Sequence, residues 1–123
     1  MHIRPHALSF CRGLRTQRLP YAVWTAGTAD YAQAVVAALQ EADALFAPVF
    51  VWSRAECASN VKEMIRVQQR TRYRAPLLLD DSRVHTVATN NGLVAIVPRF
   101  SHGGSKDLFF KLLAEWLELC SCV

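Results

Sequence analysis

Two segments of the sequence end in polar side chains that could bind a phosphate group and a divalent cation. In Tyr21–Val36, a short apolar stretch is followed by Thr25, a glycine-containing turn and a helical pattern. A hydroxyl at such a turn, with the backbone N–H groups after it, can hold phosphate oxygens. In Pro76–Ser82, an apolar run ends in the adjacent carboxylates Asp80 and Asp81. Adjacent carboxylates repel unless a cation or donors compensate, and Mg²⁺ prefers carboxylate oxygen, so the pair is a candidate magnesium site.

Each of these residues also has a purely structural explanation. Thr25 could simply end a strand, and Asp80 or Asp81 could cap a short helix that follows. Lys62 falls in a predicted polar helix over residues 55–70, where a lysine is usually a solvated surface residue. The residue types alone therefore leave both interpretations open.

The composition is that of a globular chain. Its 123 residues are 52% hydrophobic and 20% charged, which is enough for one domain with a core. No apolar run approaches the ~18–20 residues of a membrane span, so we expect no transmembrane segment. Residues 1–29 contain four arginines and no acid. We interpret them as a basic first helix, with an organelle transit peptide as the alternative, and no motif indicates a nucleic-acid partner.

The cysteines predict neither a disulfide framework nor a zinc site. Cys11, Cys57, Cys120 and Cys122 form no Cys-x-x-Cys pair, and no histidine lies at metal-site spacing beside them. Reduced, mostly buried thiols are therefore expected. They favour an intracellular location, in the nucleus, the cytoplasm or an organelle.

The apolar pattern alternates between helix and strand along the chain. The predicted helices cover residues 6–18, 30–46 (capped by Asp30), 55–70 and 82–90, and the predicted strands are Tyr21–Thr25, Pro48–Trp52, Leu77–Leu79 and Leu93–Val97. A last helix is predicted after Gly103-Gly104, and its inner face consists of Leu108, Phe109, Leu112, Leu113, Trp116 and Leu117. Continuous apolar strands between helices predict an α/β fold, with a mostly parallel sheet covered on both faces. Ligands bind beyond the carboxyl ends of such strands, so Thr25 and the aspartate pair should share one edge.

The order of these elements resembles that of the haloacid-dehalogenase-like phosphatases. The similar segments are Arg4–His6, Val23–Thr28, Asp30–Ala32, Ser53–Cys57, Val61–Glu63, Leu79–Ser82 and Asn91–Gly92. They extend over nearly the whole chain in the right order. They are most similar to the branch that acts on the RNA polymerase II carboxy-terminal domain and includes the NLI-interacting-factor-like proteins. The resemblance implies a Rossmann-like core with a mostly parallel sheet.

The resemblance also implies a role for each candidate residue. Thr25 would be the phosphate-binding hydroxyl, with the backbone of Ala26 beside it. Lys62 would neutralise charge on the transferring phosphoryl group. Asp81 would contact Mg²⁺, with Asp80 supporting the metal site.

One element of the resembled family is missing from this sequence. There, an Asp-x-Asp-x-Thr/Val motif on a first strand just before the Arg-Pro element supplies the nucleophile and the general acid and base. No aspartate precedes Asp30 here. In the family that strand lies between the strands ending at Thr25 and Asp80, so residues 1–123 would form a single truncated domain with open central edges. The two strands could pair directly, a partner protein could insert or cover a strand, or a longer polypeptide could supply it.

Three functions follow from these observations. The favoured hypothesis is a phosphatase-fold domain that lacks its own nucleophile, is non-catalytic alone and acts as a binding or assembly subunit. The alternative is a Mg²⁺-dependent phosphomonoester phosphatase whose aspartate strand comes from a longer chain or a partner, and the retained candidate residues favour it. A third is a mitochondrial-import-type scaffold, for which the basic N-terminus is the only support.

Overall fold

The computed structural model describes residues 3–82, 93–100 and 107–121, and in the last range the side chains only to Glu115. The helices of this part are α1 (Ala7–Thr16), α2 (Ala29–Ala42), α3 (Met64–Thr71) and α4 (Phe109–Ser121), and the strands are β1 (Val23–Trp24), β2 (Val51–Trp52), β3 (Leu78–Asp80) and β4 (Val94–Ile96). The α/β class predicted from the sequence is confirmed. None of the described helices is both long and apolar enough to cross a membrane. Residues 83–90 of the predicted helix over 82–90 and the Gly103-Gly104 loop lie outside the described residues.

Helix α1 packs through Phe10 and ends in a Schellman motif. The N–H of Arg18 donates to the carbonyl of Arg15 (3.0 Å), and the N–H of Leu19 donates to that of Leu14 (2.8 Å). Arg18 itself has φ 59°, the left-handed conformation that glycine usually occupies at this position. The motif turns the chain from α1 directly into β1.

Helix α2 begins at Ala29, one residue before the predicted start at Asp30. Thr28 is the N-cap, and its side-chain oxygen accepts a hydrogen bond from the N–H of Tyr31 (3.2 Å). Asp30 lies instead in the first turn, where a negative charge favours the helix N-terminus. The buried residues of the helix are Ala32 and Val36, and Tyr31 is exposed.

The predicted third helix is broken in two, and the placement of Lys62 in a helix was wrong. A 3₁₀ turn covers Arg54–Glu56, and α3 starts only at Met64. Between them Ser59 and Asn60 have φ 48° and 65°, which no helix accommodates. Lys62 therefore lies in the extended segment before α3, and it is buried rather than solvated.

The strands form two separate parallel pairs in the described part of the chain. Val23 is paired with Val51 in the β1–β2 pair, and Leu79 with Ala95 in the β3–β4 pair. Direct pairing of β1 with β3, one of the three possibilities above, is not observed among these residues. The strand residues are all only partly buried, although strands of a covered parallel sheet are normally buried on both faces.

Arg4 connects the segment before α1 to the beginning of α4. Its Nε donates to Asp107 (2.7 Å), its guanidinium donates to the carbonyl of Pro98 (2.6 Å), and it lies 4.8 Å from the ring centre of Phe109. Asp107 also accepts a hydrogen bond from the N–H of Phe109 (3.0 Å). That backbone bond and the Arg4 guanidinium hold the pKa of Asp107 below its usual range.

The inner face of α4 differs from the predicted one. Phe110 packs against Phe10 of α1, with ring centres 5.2 Å apart. Leu108 and Leu112, which the sequence placed on the inner face, are exposed. The Arg4 contacts fix the rotation of the helix, and a hydrophobic pattern alone could not reveal them.

Replacement Asp107→Asn tests the electrostatic part of this attachment. Because the folded-state pKa of Asp107 is lowered, its carboxylate stabilises the fold above about pH 4, and that contribution disappears as the pH falls through the folded-state value. Urea unfolding should show a less stable variant at pH 7 and a smaller difference from the wild type at pH 3. An equal difference in unfolding free energy between variant and wild type at both pH values would contradict the lowered pKa of Asp107.

Candidate phosphate- and metal-binding site

A cavity of about 330 Å³ lies where β1 and β3 end. Its polar lining is provided by Arg4, Thr25, Lys62, Asp80 and Asp81. Since the carboxyl ends of both strands reach this cavity, β1 and β3 run in the same direction even though no ladder joins them in the described chain. The cavity brings together the predicted side chains, and their roles remain predictions.

The turn after β1 offers fewer free donors than its sequence predicts. Thr25 closes the β1–β2 ladder by donating its N–H to the carbonyl of Trp52 (3.1 Å). Its side-chain oxygen accepts the N–H of Gly27 (3.1 Å), so that N–H is not available to a ligand. The donors that remain toward the cavity edge are the hydroxyl hydrogen of Thr25 and the N–H of Ala26. Ala26 is not among the lining residues of the cavity, and any contribution it makes is through its backbone.

Arg54 and Gly27 fix the shape of this turn. The backbone N–H of Arg54 donates to the carbonyl of Gly27 (2.8 Å), and its Nε donates to the carbonyl of Ala26 (2.9 Å). A side-chain carbon at Gly27 would lie 2.8 Å from the ring of Tyr31, closer than such atoms approach. The turn is thus braced before any ligand binds. These roles of Arg54 and Arg4 depend on contacts between distant segments, so no pattern in the sequence indicates them.

Lys62 and Asp80 form a buried ion pair at the floor of the cavity. The Lys62 Nζ donates to Asp80 Oδ2 at 2.5 Å, and the two side chains are 8% and 9% exposed. The other Asp80 oxygen accepts the N–H of Ser82 (2.9 Å). Charges taken this far from water are tolerated only when good geometry and further hydrogen bonds compensate for the lost hydration. Both Asp80 oxygens are therefore engaged within the protein.

Asp81 is the more accessible of the two carboxylates. Its side chain is 44% exposed, and its ion-pair partner is Arg99, which is 3.8 Å away and 80% exposed. Mg²⁺ is typically held by one or two carboxylates together with waters and ligand phosphate. Asp81 fits that requirement as the single directly bound carboxylate, and Asp80, whose two oxygens already accept hydrogen bonds, would support the metal site from behind. The described residues contain no cluster of three or more acidic, cysteine or histidine side chains, so water and phosphate would complete the coordination.

The described cysteines lie outside this cavity. Burial and the nearby charge of Asp43 raise the pKa of the Cys11 thiol to about 11, so it stays protonated and unreactive at neutral pH. Cys57 is directed toward the carbonyl of Ser53 (3.7 Å). Neither thiol is positioned to attack a phosphoryl group bound at Thr25.

The sequence profile of a protein family described as NLI interacting factor-like phosphatase matches residues 1–122. No curated protein and no solved structure matches the chain. The family match covers nearly the whole sequence and includes all the residues that line the cavity.

Lys62→Met tests the buried ion pair. Leaving Asp80 buried and uncompensated should lower the free energy of unfolding by about 3–5 kcal/mol. The matched control Arg99→Ala breaks an exposed pair and should cost at most about 1 kcal/mol. Adding Asp80→Leu to Lys62→Met should restore most of the lost free energy of unfolding, as measured by urea denaturation. Equal effects of Lys62→Met and Arg99→Ala would show that the pair is not buried in solution.

Proposed function

The chain belongs to the NLI interacting factor-like phosphatase family, and we propose that it binds a phosphorylated ligand together with Mg²⁺ without hydrolysing it on its own. The observation that supports this proposal is the convergence of Thr25, Lys62, Asp80 and Asp81 on one cavity of about 330 Å³. Thr25 follows β1, Lys62 precedes α3, and the aspartate pair lies at the end of β3. Three segments that are distant in sequence therefore meet at this cavity.

Each residue has a distinct task in binding. The hydroxyl of Thr25 and the N–H of Ala26 donate to phosphate oxygens, and the ammonium group of Lys62 offsets their negative charge. Asp81, with support from Asp80, holds the cation. When bound, Mg²⁺ neutralises phosphate charge and orients the phosphoryl group. The braced turn and the buried pair hold these groups in place beforehand, which lowers the entropic cost of binding.

The lack of independent hydrolysis follows from how the carboxylates are used. The carboxylates of the cavity lining are Asp80, which is tied to Lys62 and Ser82, and Asp81, which serves the cation. Among the residues that the structure describes, no further carboxylate lines the cavity to attack phosphorus from the opposite side. An enzyme fold without its covalent nucleophile retains only binding and electrostatic stabilisation.

We further propose that residues 1–123 act as a binding or assembly subunit in the form of one haloacid-dehalogenase-like domain. A partner protein would cover the open inner edges of β1 and β3. Unpaired edges beside an apolar layer are unfavourable and prone to aggregation, so a partner would stabilise the subunit.

A second candidate function is Mg²⁺-dependent phosphomonoester hydrolysis, completed when another polypeptide segment places an aspartate beside Thr25. The retained Thr25, Lys62 and aspartate pair favour it, because a cavity used only for assembly has no need of phosphate-binding groups. The two candidates therefore differ in whether a nucleophile reaches the site.

Ligand binding can be measured by titrating the protein with inorganic phosphate in the presence and absence of MgCl₂, using phosphorus NMR. Thr25→Val should weaken phosphate binding about tenfold or more, because it removes a hydrogen bond to a charged group. Asp81→Asn should abolish the enhancement by MgCl₂ and leave the magnesium-free affinity little changed. The control Thr16→Val, on the exposed side of α1, should behave as the wild type. Equal affinities for Thr25→Val and Thr16→Val would exclude the site.

Turnover is tested with an aryl phosphate and MgCl₂. The chain alone should release no phosphate above background. Turnover that Asp81→Ala abolishes would overturn the non-catalytic proposal and favour the second candidate. Turnover that survives Asp81→Ala would indicate a contaminating phosphatase.

A further inference from the structure

Three loops meet at the end of the domain where the parallel strands begin. They lead from α1 into β1, from α2 into β2 and from α3 into β3. The N–H of Ala47 donates to the hydroxyl of Tyr21 (2.8 Å), which joins the first loop to the second. We refer to residues 15–22, 43–50 and 70–77 as the basal face. It lies at the opposite end of the strands from the candidate phosphate- and metal-binding site.

The basal face is strongly basic. Its five arginines are all exposed: Arg15, Arg18, Arg70, Arg72 and Arg74. Its one acidic residue is Asp43, which forms an ion pair with Arg12 of α1 (2.8 Å). Toward this end, the adjoining helices add two exposed acids, Glu41 in the last turn of α2 and Glu115 of α4. With Arg12 and these acids included, the described chain still sets six arginines against three acids, so the face keeps a net positive charge.

Two of these arginines occupy positions that usually hold glycine. Arg18 lies just after α1 and Arg72 just after α3, with φ 59° and 67°. Helices commonly end with glycine in this left-handed conformation, because a side chain is less favourable there. Arg18, Arg72 and Arg74 also have no ion-pair partner among the described residues. The chain therefore keeps charged side chains at a cost to its own stability, which points to a role for the charges outside the fold.

Exposed apolar side chains stand among these arginines. Five of them are between 43% and 57% exposed: Leu19, Leu45, Val49, Tyr73 and Leu77. All of these except Leu45 line one apolar cavity together with Arg18 and Arg74, so side chains from three loops are neighbours. Exposed apolar groups cost free energy in water, and beside several cations they are typical of a surface that contacts an anionic and partly apolar partner.

We propose that the basal face binds the surface of a lipid bilayer that contains anionic phospholipids. The arginines lie against the lipid headgroups, while Leu19, Tyr73 and Leu77 enter the boundary between headgroups and acyl chains. Each basic side chain near such a surface strengthens binding about fivefold. This inference goes beyond the proposed function and does not depend on it.

The distribution of charge sets the orientation on the bilayer. At the site end, Arg4, Lys62 and Arg99 each lie within ion-pair distance of a carboxylate, so that end mixes both signs. The unpaired arginines of the basal face are therefore attracted more strongly to an anionic surface. Bound in this way, the protein turns the cavity at the strand ends away from the bilayer, where a water-soluble ligand can reach it.

An acidic peptide and a nucleic acid fit the basal face less well than a bilayer. Lipids diffuse laterally, so anionic headgroups can gather beneath arginines at any spacing, whereas a peptide must match side chains that no ion pair in the described chain holds in place. A nucleic acid gains little from exposed leucines, and Tyr73 is the one exposed aromatic residue of the described face that could stack on a base.

Binding can be measured by sedimentation of the full chain with phosphatidylcholine vesicles that contain either no phosphatidylserine or about one-third of it. The protein should bind the phosphatidylserine vesicles at least tenfold more tightly, because several arginines act together. Raising the salt concentration from ~0.1 M to ~1 M shortens the screening length from about 10 Å to about 3 Å, so the affinity should fall at least fivefold.

The double variant Arg18→Gly, Arg72→Gly tests the charges of the basal face. Because glycine suits both left-handed positions, its Tm should not fall, whereas its affinity for phosphatidylserine vesicles should drop at least tenfold. The matched control Arg66→Gln, Lys111→Gln removes the same charge from exposed residues in the first turns of α3 and α4, toward the site end. Its affinity should stay within threefold of the wild type.

A second pair of variants tests the apolar contacts. Leu19→Gln, Leu77→Gln should weaken binding to phosphatidylserine vesicles at least fivefold, because the inserted side chains become polar. The matched control Ile65→Gln, Leu112→Gln changes two comparably exposed apolar residues outside the basal face and should keep the wild-type affinity.

Three results would overturn the inference: equal binding to both kinds of vesicle, equal losses in each variant and its matched control, or binding of a glutamate-rich peptide or a DNA duplex without binding of vesicles. Thr25→Val shows whether lipid phosphate is held at the basal face or in the candidate site. Vesicle affinity within twofold of the wild type supports the basal face, and a tenfold loss would place the lipid in the site instead. Failure of the phosphate site in solution leaves the vesicle result unchanged.

Discussion

The ion pair between Lys62 and Asp80 joins two halves of a sheet that have no backbone ladder between them in the described chain. Lys62 follows the β1–β2 half, and Asp80 ends β3 in the other half. A buried pair of this kind is costly to break but contributes little net stability compared with apolar packing. Other ties between the described parts are the contacts of Arg4 with Asp107 and Pro98, and the packing of Phe10 against Phe110. The halves are therefore held in position mainly by polar contacts at one end and helix packing at the side, and the middle stays open.

The buried ion pair also explains why the candidate site has a defined geometry although the described strands form two separate pairs. Lys62 and Asp80 sit at the strand ends because their pairing holds the ends together, and this also places a cation and a carboxylate beside the Thr25 turn. The residues that hold the strand ends together are thus the same ones for which we propose a binding role. Asp81 is the exception, since it is half-exposed and its one ion pair in the described chain is long. It is the carboxylate that can change partner without breaking the fold.

The sequence predicted which segments form helices and strands better than it predicted the residues at which they begin and end. Buried apolar runs such as Leu77–Leu79 identify strands because they are too short and too continuous for an amphipathic helix. The break before Met64 could not be foreseen, because it depends on left-handed conformations at Ser59 and Asn60 that polar residues adopt only in particular contexts. For the site, residue order placed Thr25 and Asp80 at one edge. The burial of Lys62 and the bracing by Arg54 depend on contacts between distant segments, which a pattern in one segment does not contain.

The cavity at the strand ends shares part of its lining with a larger, mainly apolar cavity of about 800 Å³. Trp24, Leu79 and Phe110 line both cavities. Whatever fills the larger cavity would therefore exclude water from one side of the proposed site. Electrostatic attraction strengthens as water is excluded, so a phosphate and its cation would bind more tightly to the filled subunit. Because such coupling is reciprocal, the proposed phosphorylated ligand would tighten binding of that occupant by the same factor.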